Sequence, residues 1–136
     1  MKKLIVMFIL FTLVAGCSTT QPNKTTVCNL EEGNMSIELS VVSSGEEIKS
    51  HTARTTLDFT TLDKRKEDVL NLIEDSKNKY GEIEGYTFDA TYNEPILVET
   101  IIADYSKLSK DDLEEGYDQL GDLLESLKSQ GFTCSE

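Results

Sequence analysis

From Met35 onward the chain alternates between two hydrophobic periods, and each change of period predicts an element. Met35, Ile37, Leu39 and Val41 alternate with Ser36, Glu38 and Ser40, the period-two pattern of a strand that buries one face. Ser43-Ser44-Gly45-Glu46 carries turn chemistry and predicts a hairpin into a second strand. In that strand Ala53, Thr55, Leu57 and Phe59 share one parity, whereas Ile48 has the other. A bulge around Ser50–Ala53 is therefore predicted, since without it Ile48 would face water. Residues 64–80 take the helical period, with Val69, Leu70, Leu72, Ile73 and Tyr80 along one stripe and Gly81 as the stop.

The second half repeats the logic. Tyr86, Phe88, Ala90 and Tyr92 alternate with Thr87, Asp89 and Thr91, and Asn93-Glu94-Pro95 turns the chain back. Ile96–Tyr105 is apolar at both parities, the pattern of a central strand covered on both faces. Ser109 with Asp112 three residues on predicts a helix start. Leu113, Tyr117, Leu120, Leu124 and Leu127 line one face of that helix. Gly116 and Gly121 weaken its interior, which predicts a break near Gly116, and Gly131 closes it. Phe132–Cys134 has room for a short last strand. The order is β-β-α-β-β-α, an α+β fold with an antiparallel sheet and two helices packed on one face.

The N-terminal segment has a different character. Met1-Lys2-Lys3, an apolar run from Leu4 to Val14 and small Ala15-Gly16 make residues 1–16 a signal peptide. The run is 11 residues long, about half of the roughly 20 that a spanning helix needs. Leu13-Val14-Ala15-Gly16-Cys17 resembles the bacterial lipobox, with cleavage between Gly16 and Cys17. The resemblance implies a diacylglycerol, and hence palmitate-type chains, on the Cys17 thiol. Two acyl chains hold stably, at about 0.8 kcal/mol per buried CH₂. The expected location is the outer, extracytoplasmic face of the cell membrane, with membrane lipid as the first partner. Ser18–Thr26 lacks an apolar residue able to pack, so residues 17–26 read as lipidated terminus and tether, reaching up to about 30 Å at about 3.3–3.6 Å per residue. Residues 27–136 read as one extracytoplasmic domain.

Charge narrows the partners. Loss of residues 1–16 removes Lys2 and Lys3, leaving 11 basic against 25 acidic side chains, a balance of −14. Such a surface repels phosphate backbones, so nucleic acid is excluded as a partner. An envelope protein or a small ligand remains. With Cys17 assigned to lipid, Cys28 and Cys134 form an even pair inside the ends of the domain, in a compartment where disulfides persist. A Cys28–Cys134 bridge is predicted. Two free thiols are the alternative, and a metal site would have only His51 beside the pair and no paired-cysteine spacing.

The whole pattern resembles the YehR-like lipoproteins. It comprises the lipobox, a threonine-rich hairpin, an acidic tyrosine-rich strand pair, Leu108-Ser109-Lys110-Asp111-Asp112-Leu113-Glu114-Glu115-Gly116 and Lys128-Ser129-Gln130-Gly131-Phe132. The likeness spans Leu30 to Thr133. It implies a lipid anchor and an α+β fold, and it carries over no active-site residue, the family being of unknown function.

Motifs for chemistry are few. His51 is the single imidazole, expected on a strand surface. No Gly-x-Ser-x-Gly elbow is present for a serine hydrolase, and a Cys134/His51 dyad competes with the bridge. The best calcium loop, Asp111–Asp122, has Leu113 at its third position and Asp122 at its twelfth, which fails the oxygen-ligand pattern. Phosphate cradles and dinucleotide fingerprints are missing. No cofactor, metal or catalytic residue is assigned, and the chain reads as a non-enzymatic binding module. A structural or assembly role in the envelope is the alternative, and an extracellular hydrolase ranks last. Tyr86 and Tyr92, expected on one strand face, are the candidate ligand groove.

Overall fold

The computed structural model describes residues 21–113 and 117–135. The signal segment, Cys17 and Gly116 lie outside the described residues. The elements run β1 (Asn23–Glu32), β2 (Met35–Ser44), β3 (Glu47–Asp58), α1 (Lys66–Gly81), β4 (Tyr86–Asn93), β5 (Ile96–Asp104), a 3-10 turn (Lys110–Asp112), α2 (Leu120–Ser129) and β6 (Thr133–Ser135). The strands form one antiparallel sheet in the order β4-β5-β3-β2-β1-β6, so the molecule is α+β.

The element order differs from the expected β-β-α-β-β-α at both ends. A strand precedes β2, and β1 starts at Asn23, inside the segment read as a tether. The reason is that β1 buries little that is apolar: Thr26 and Cys28 are 1% and 0% exposed, and threonine carries no hydrophobic signal. What holds β1 is a ten-pair ladder with β2, from Asn23↔Ser44 to Glu32↔Met35. The two-residue link Gly33-Asn34 closes it with Gly33 at φ +59°, the first-position glycine of a II′ hairpin.

The bulge is present, displaced toward the turn. Val42 pairs with Ser50 and Ser43 with Ile48, so Lys49 is the extra residue and Ile48, 2% exposed, returns to the core. α1 is capped by Arg65, whose backbone N–H donates to the Asp68 carboxylate at 3.2 Å. Gly81 is its last residue without being left-handed; that conformation falls at Gly85, φ +105°, in the link to β4. β5 is central in the sheet but is not covered on both faces, since Ile102 remains 42% exposed.

The last helix is the largest departure. Ser109 and Asp112 do form a capping box, yet it closes only the 3-10 turn. Residues 117–119 are extended and dock on the start of β3: Ile48 N–H donates to Asp118 O at 3.2 Å, and Glu47 bridges to Gln119. Competition from this pairing postpones the helix to Leu120. The Gly121 backbone N–H then donates to the Glu46 carboxylate at 3.0 Å, which satisfies an orphan donor at the positive end of the helix.

The core has two clusters. Leu120, Leu123 and Leu127 of α2 pack with Cys28, Leu39, Val41 and Ile48. Val69 and Ile73 of α1 pack with Phe59, Leu57, Leu97, Ala90 and Tyr92. Cys28 is bonded to Cys134 across the β1–β6 ladder, the two Cα atoms 4.0 Å apart and the residues 106 positions apart in sequence. Linking positions so distant restricts the unfolded chain, with an upper figure of about 4.7 kcal/mol for a loop near 100 residues. Reduction, or Cys134→Ala, is expected to lower the unfolding free energy by about 2–4 kcal/mol, read from the urea midpoint. An unchanged midpoint would show that three-residue β6 is held by packing alone.

Candidate functional site

Between α2 and the sheet lies a cleft of about 270 Å³. Its floor is Ile37 and Leu39 of β2, Ala53 and Thr55 of β3, and Ile101 of β5. These fall together because the ladders align Leu39 with Ala53 and Ala53 with Ile101. Leu123 and Leu127, one helical turn apart, form a wall with Gln130 and Phe132. Phe132 reaches it because Gly131, at φ +98°, reverses the chain after α2, and the Phe132 backbone N–H donates to Leu127 O at 3.0 Å. No Cβ residue takes that turn without strain. His51, Tyr105, Leu113 and Tyr117 stand at the remaining side.

The polar groups here are few and placed by the fold. His51, paired with Val41 and Ala103, is half-buried rather than on the strand surface as expected. Its Nδ1 shares a hydrogen bond with the Tyr105 hydroxyl at 3.1 Å, with the rings edge to face at 5.6 Å. Burial pushes the Tyr105 phenol up to about 12, with the charges of Tyr86 and Asp118 adding to it. Asp118 is itself held down by the Lys110 ammonium, 2.7 Å away. The Gln130 amide donates to Ser126 Oγ at 3.1 Å. Among the described residues, no serine, cysteine, carboxylate, lysine or arginine lines the cleft. A wider and more open hollow of about 650 Å³ borders Asn29, Glu31, Glu38 and Arg54. Its polar walls would bury little of a ligand.

Tyr86 and Tyr92 share a face of β4, and the structure gives both packing partners. Tyr86 lies 5.3 Å from the Tyr80 ring and donates its hydroxyl to Asp112 O at 3.1 Å. Tyr92 meets Phe59 edge to face at 6.4 Å. Neither lines the cleft. The tyrosines that do, Tyr105 and Tyr117, sit where β5 ends and just before α2 begins, positions to which strand or helix periodicity gives no special weight.

The phenol supplies a test. Tyr105 ionises near 12 when folded against about 10 when unfolded, so the unfolded chain loses that proton first. Its contribution is intact below pH 10 and is lost as pH rises from 10 to 12. Tyr105→Phe is expected to flatten the alkaline fall in urea midpoint over that window, and absorbance at the phenolate band should show one fewer late-titrating tyrosine. A fall of the same slope in the variant would assign the alkaline loss elsewhere.

Comparison with known proteins agrees with this architecture. Residues 24–132 match the family described as "Protein of unknown function (DUF1307)". An uncharacterised lipoprotein of Listeria innocua is 29% identical, the alignment covering 91% of this chain and 88% of the relative. One from Listeria monocytogenes is 25% identical over the same shares. Among solved structures, the YehR protein of Escherichia coli superimposes with a TM-score of 0.72 at 17% identity, covering 84% of this chain and 91% of its own. A protein from Streptococcus pneumoniae gives 0.59 at 10% identity, covering 99% and 98%. Those two likenesses concern the fold. The chain thus belongs to the DUF1307 family of proteins of unknown function, a YehR-like lipoprotein family.

Proposed function

We propose that this protein is an extracytoplasmic lipoprotein whose domain is a non-enzymatic binding module for a small, largely apolar ligand. Residues 1–16 direct export, Cys17 carries the lipid and becomes the mature N-terminus, and the domain stands on the outer face of the membrane. Both helices lie over the face that carries Leu39, Ala53 and Ile101, and the cleft is the part of that face they leave uncovered. The lipobox and the lipoprotein relatives support the anchor. The observation that carries the binding role is the cleft. Its 270 Å³ lies just below the usual range of small-molecule sites, about 300–1,000 Å³, which suits a small ligand, and its apolar walls meet a few fixed polar groups. A binding role is favoured over hydrolysis because His51 faces a phenol and, among the described residues, no serine or cysteine shares the cleft for it to activate.

Two outcomes test this reading. Cys17→Ser is expected to abolish labelling by radioactive palmitate and to move the protein from the membrane to the soluble fraction. Retention on the membrane without label would remove lipid as the anchor. For the cleft, native mass spectrometry of the mature protein released from its host membranes is expected to show a bound small molecule. Ala53→Leu, which fills the floor, should lower its occupancy at least about tenfold, the equivalent of about 1.4 kcal/mol. Full occupancy in the filled variant would place the ligand elsewhere.

A further inference from the structure

Several acidic side chains among the described residues are held by local partners. Asp58, Asp104 and Asp112 accept hydrogen bonds from Thr60, Ser106 and Ser109, and Asp118 is paired with Lys110. Glu99 differs. It is the direct partner of Thr55 on one side and Ala90 on the other, two residues along β5 from Ile101, so its side chain leaves the sheet on the side of the cleft floor. It is only partly exposed, and among the described residues no hydrogen bond or ion pair reaches it. Burial alone pushes its carboxyl pKa up, as for a charge that has lost water without gaining a counter-ion.

The position of this group relative to the cleft gives it a use. Thr55 lines the cleft, and cross-strand partners place their Cβ atoms about 4.5–5.5 Å apart. From His51 to Thr55 the floor runs about 13 Å at about 3.3 Å per residue, with the His51–Tyr105 pair at one end and Glu99 beside the other. Among the described residues, no lysine or arginine lines the space between. A half-buried carboxylate is favourable when a cation meets it, and an acidic surface raises the local concentration of small cations.

We propose that the cleft takes a cation-tipped apolar molecule, a primary amine on a compact hydrophobic body, with the body against Ala53, Ile101, Leu123 and Leu127 and the ammonium against Glu99. This rests on the cleft being the binding site. The ammonium replaces the missing counter-ion, and its three donors reach the carboxylate and the Thr55 hydroxyl together. A carboxylate-tipped ligand of the same body is rejected by like charge, and a neutral one leaves Glu99 unpaired.

The test uses the mature lipid-anchored protein in phosphatidylcholine nanodiscs, titrated calorimetrically with phenethylamine, phenethyl alcohol and hydrocinnamate. Phenethylamine is expected to bind at least about tenfold tighter than the alcohol, as a charge-assisted contact provides, with hydrocinnamate weakest. Glu99→Gln, which keeps shape, should abolish the preference for the amine, bringing amine and alcohol to the same affinity. Equal affinity for amine and alcohol in the unaltered protein, a preference that survives Glu99→Gln, or no binding of the amine would each overturn the proposal. Ala53→Leu separates the two levels: if filling the floor leaves all three affinities unchanged, the cleft itself is not the site.

Discussion

One row of paired residues, Cys134, Cys28, Leu39, Ala53, Ile101 and Phe88, crosses the sheet from β6 to β4. Everything that packs on the sheet depends on this register. A slip of one residue at any ladder would turn the next strand over and exchange its apolar set for Glu38, Arg54, Thr100 or Asp89. The II′ turns at Gly33 and Gly45 fix the register of the first three strands through two-residue links, and the bulge at Lys49, just after the second turn, lets Ile48 and the rest of β3 present their apolar residues to the same face. At the β6 edge the row is locked covalently by the disulfide. The hydrophobic contacts follow from this alignment, which brings Leu39 and Val41 to Leu120, Leu123 and Leu127.

The same register makes the cleft. α2 is a ten-residue helix, about 15 Å long at about 1.5 Å per residue, and it packs with Cys28, Leu39, Val41 and Ile48. α1 packs with the Phe59, Leu97 and Tyr92 cluster. Ala53 and Ile101 lie between these two sets, and Ala53 is too short to fill the space. The opening therefore arises from the small side chain in the middle of the row. A leucine there would meet the α2 leucines and extend the first cluster toward the second.

Much of this was legible in the sequence. Strong periodicity located β2 to β5 and α1 within a few residues, and it located the bulge, because each rests on contrast between apolar and polar neighbours. β1 was invisible to that signal: its inward residues Thr26, Cys28 and Leu30 contain one large apolar side chain, and its stability is a matter of hydrogen-bonded pairing with a strand far better marked than itself. α2 was placed too early for the opposite reason. A genuine capping box at Ser109 and an apolar face through Leu113 and Tyr117 satisfied every local rule, and the extended pairing of Asp118 and Gln119 with β3 overrode them. The candidate site was legible only in part. The sequence drew attention to tyrosines on one strand face, but a tyrosine on the inward face of a marked strand is well placed for packing, and Tyr86 and Tyr92 pack.

Charge placement carries the argument one step further. Of the acidic side chains among the described residues, Asp58, Asp68, Asp104 and Asp112 accept hydrogen bonds from a residue two or three positions away. Such contacts hold each carboxylate charged at little cost, and they lower the pKa of Asp58, Asp68, Asp104 and Asp112 alike. Glu99 is shifted in the other direction, on the strand where the apolar row would tolerate a threonine or valine with less loss of hydration. Its neighbours on the same face, Leu97 and Ile101, show that β5 places apolar residues there freely. A carboxylate that costs desolvation and gains no partner among the described residues is explained when its partner comes from outside, and the adjoining cleft, with no lysine or arginine among its described lining residues, is where a cation would arrive.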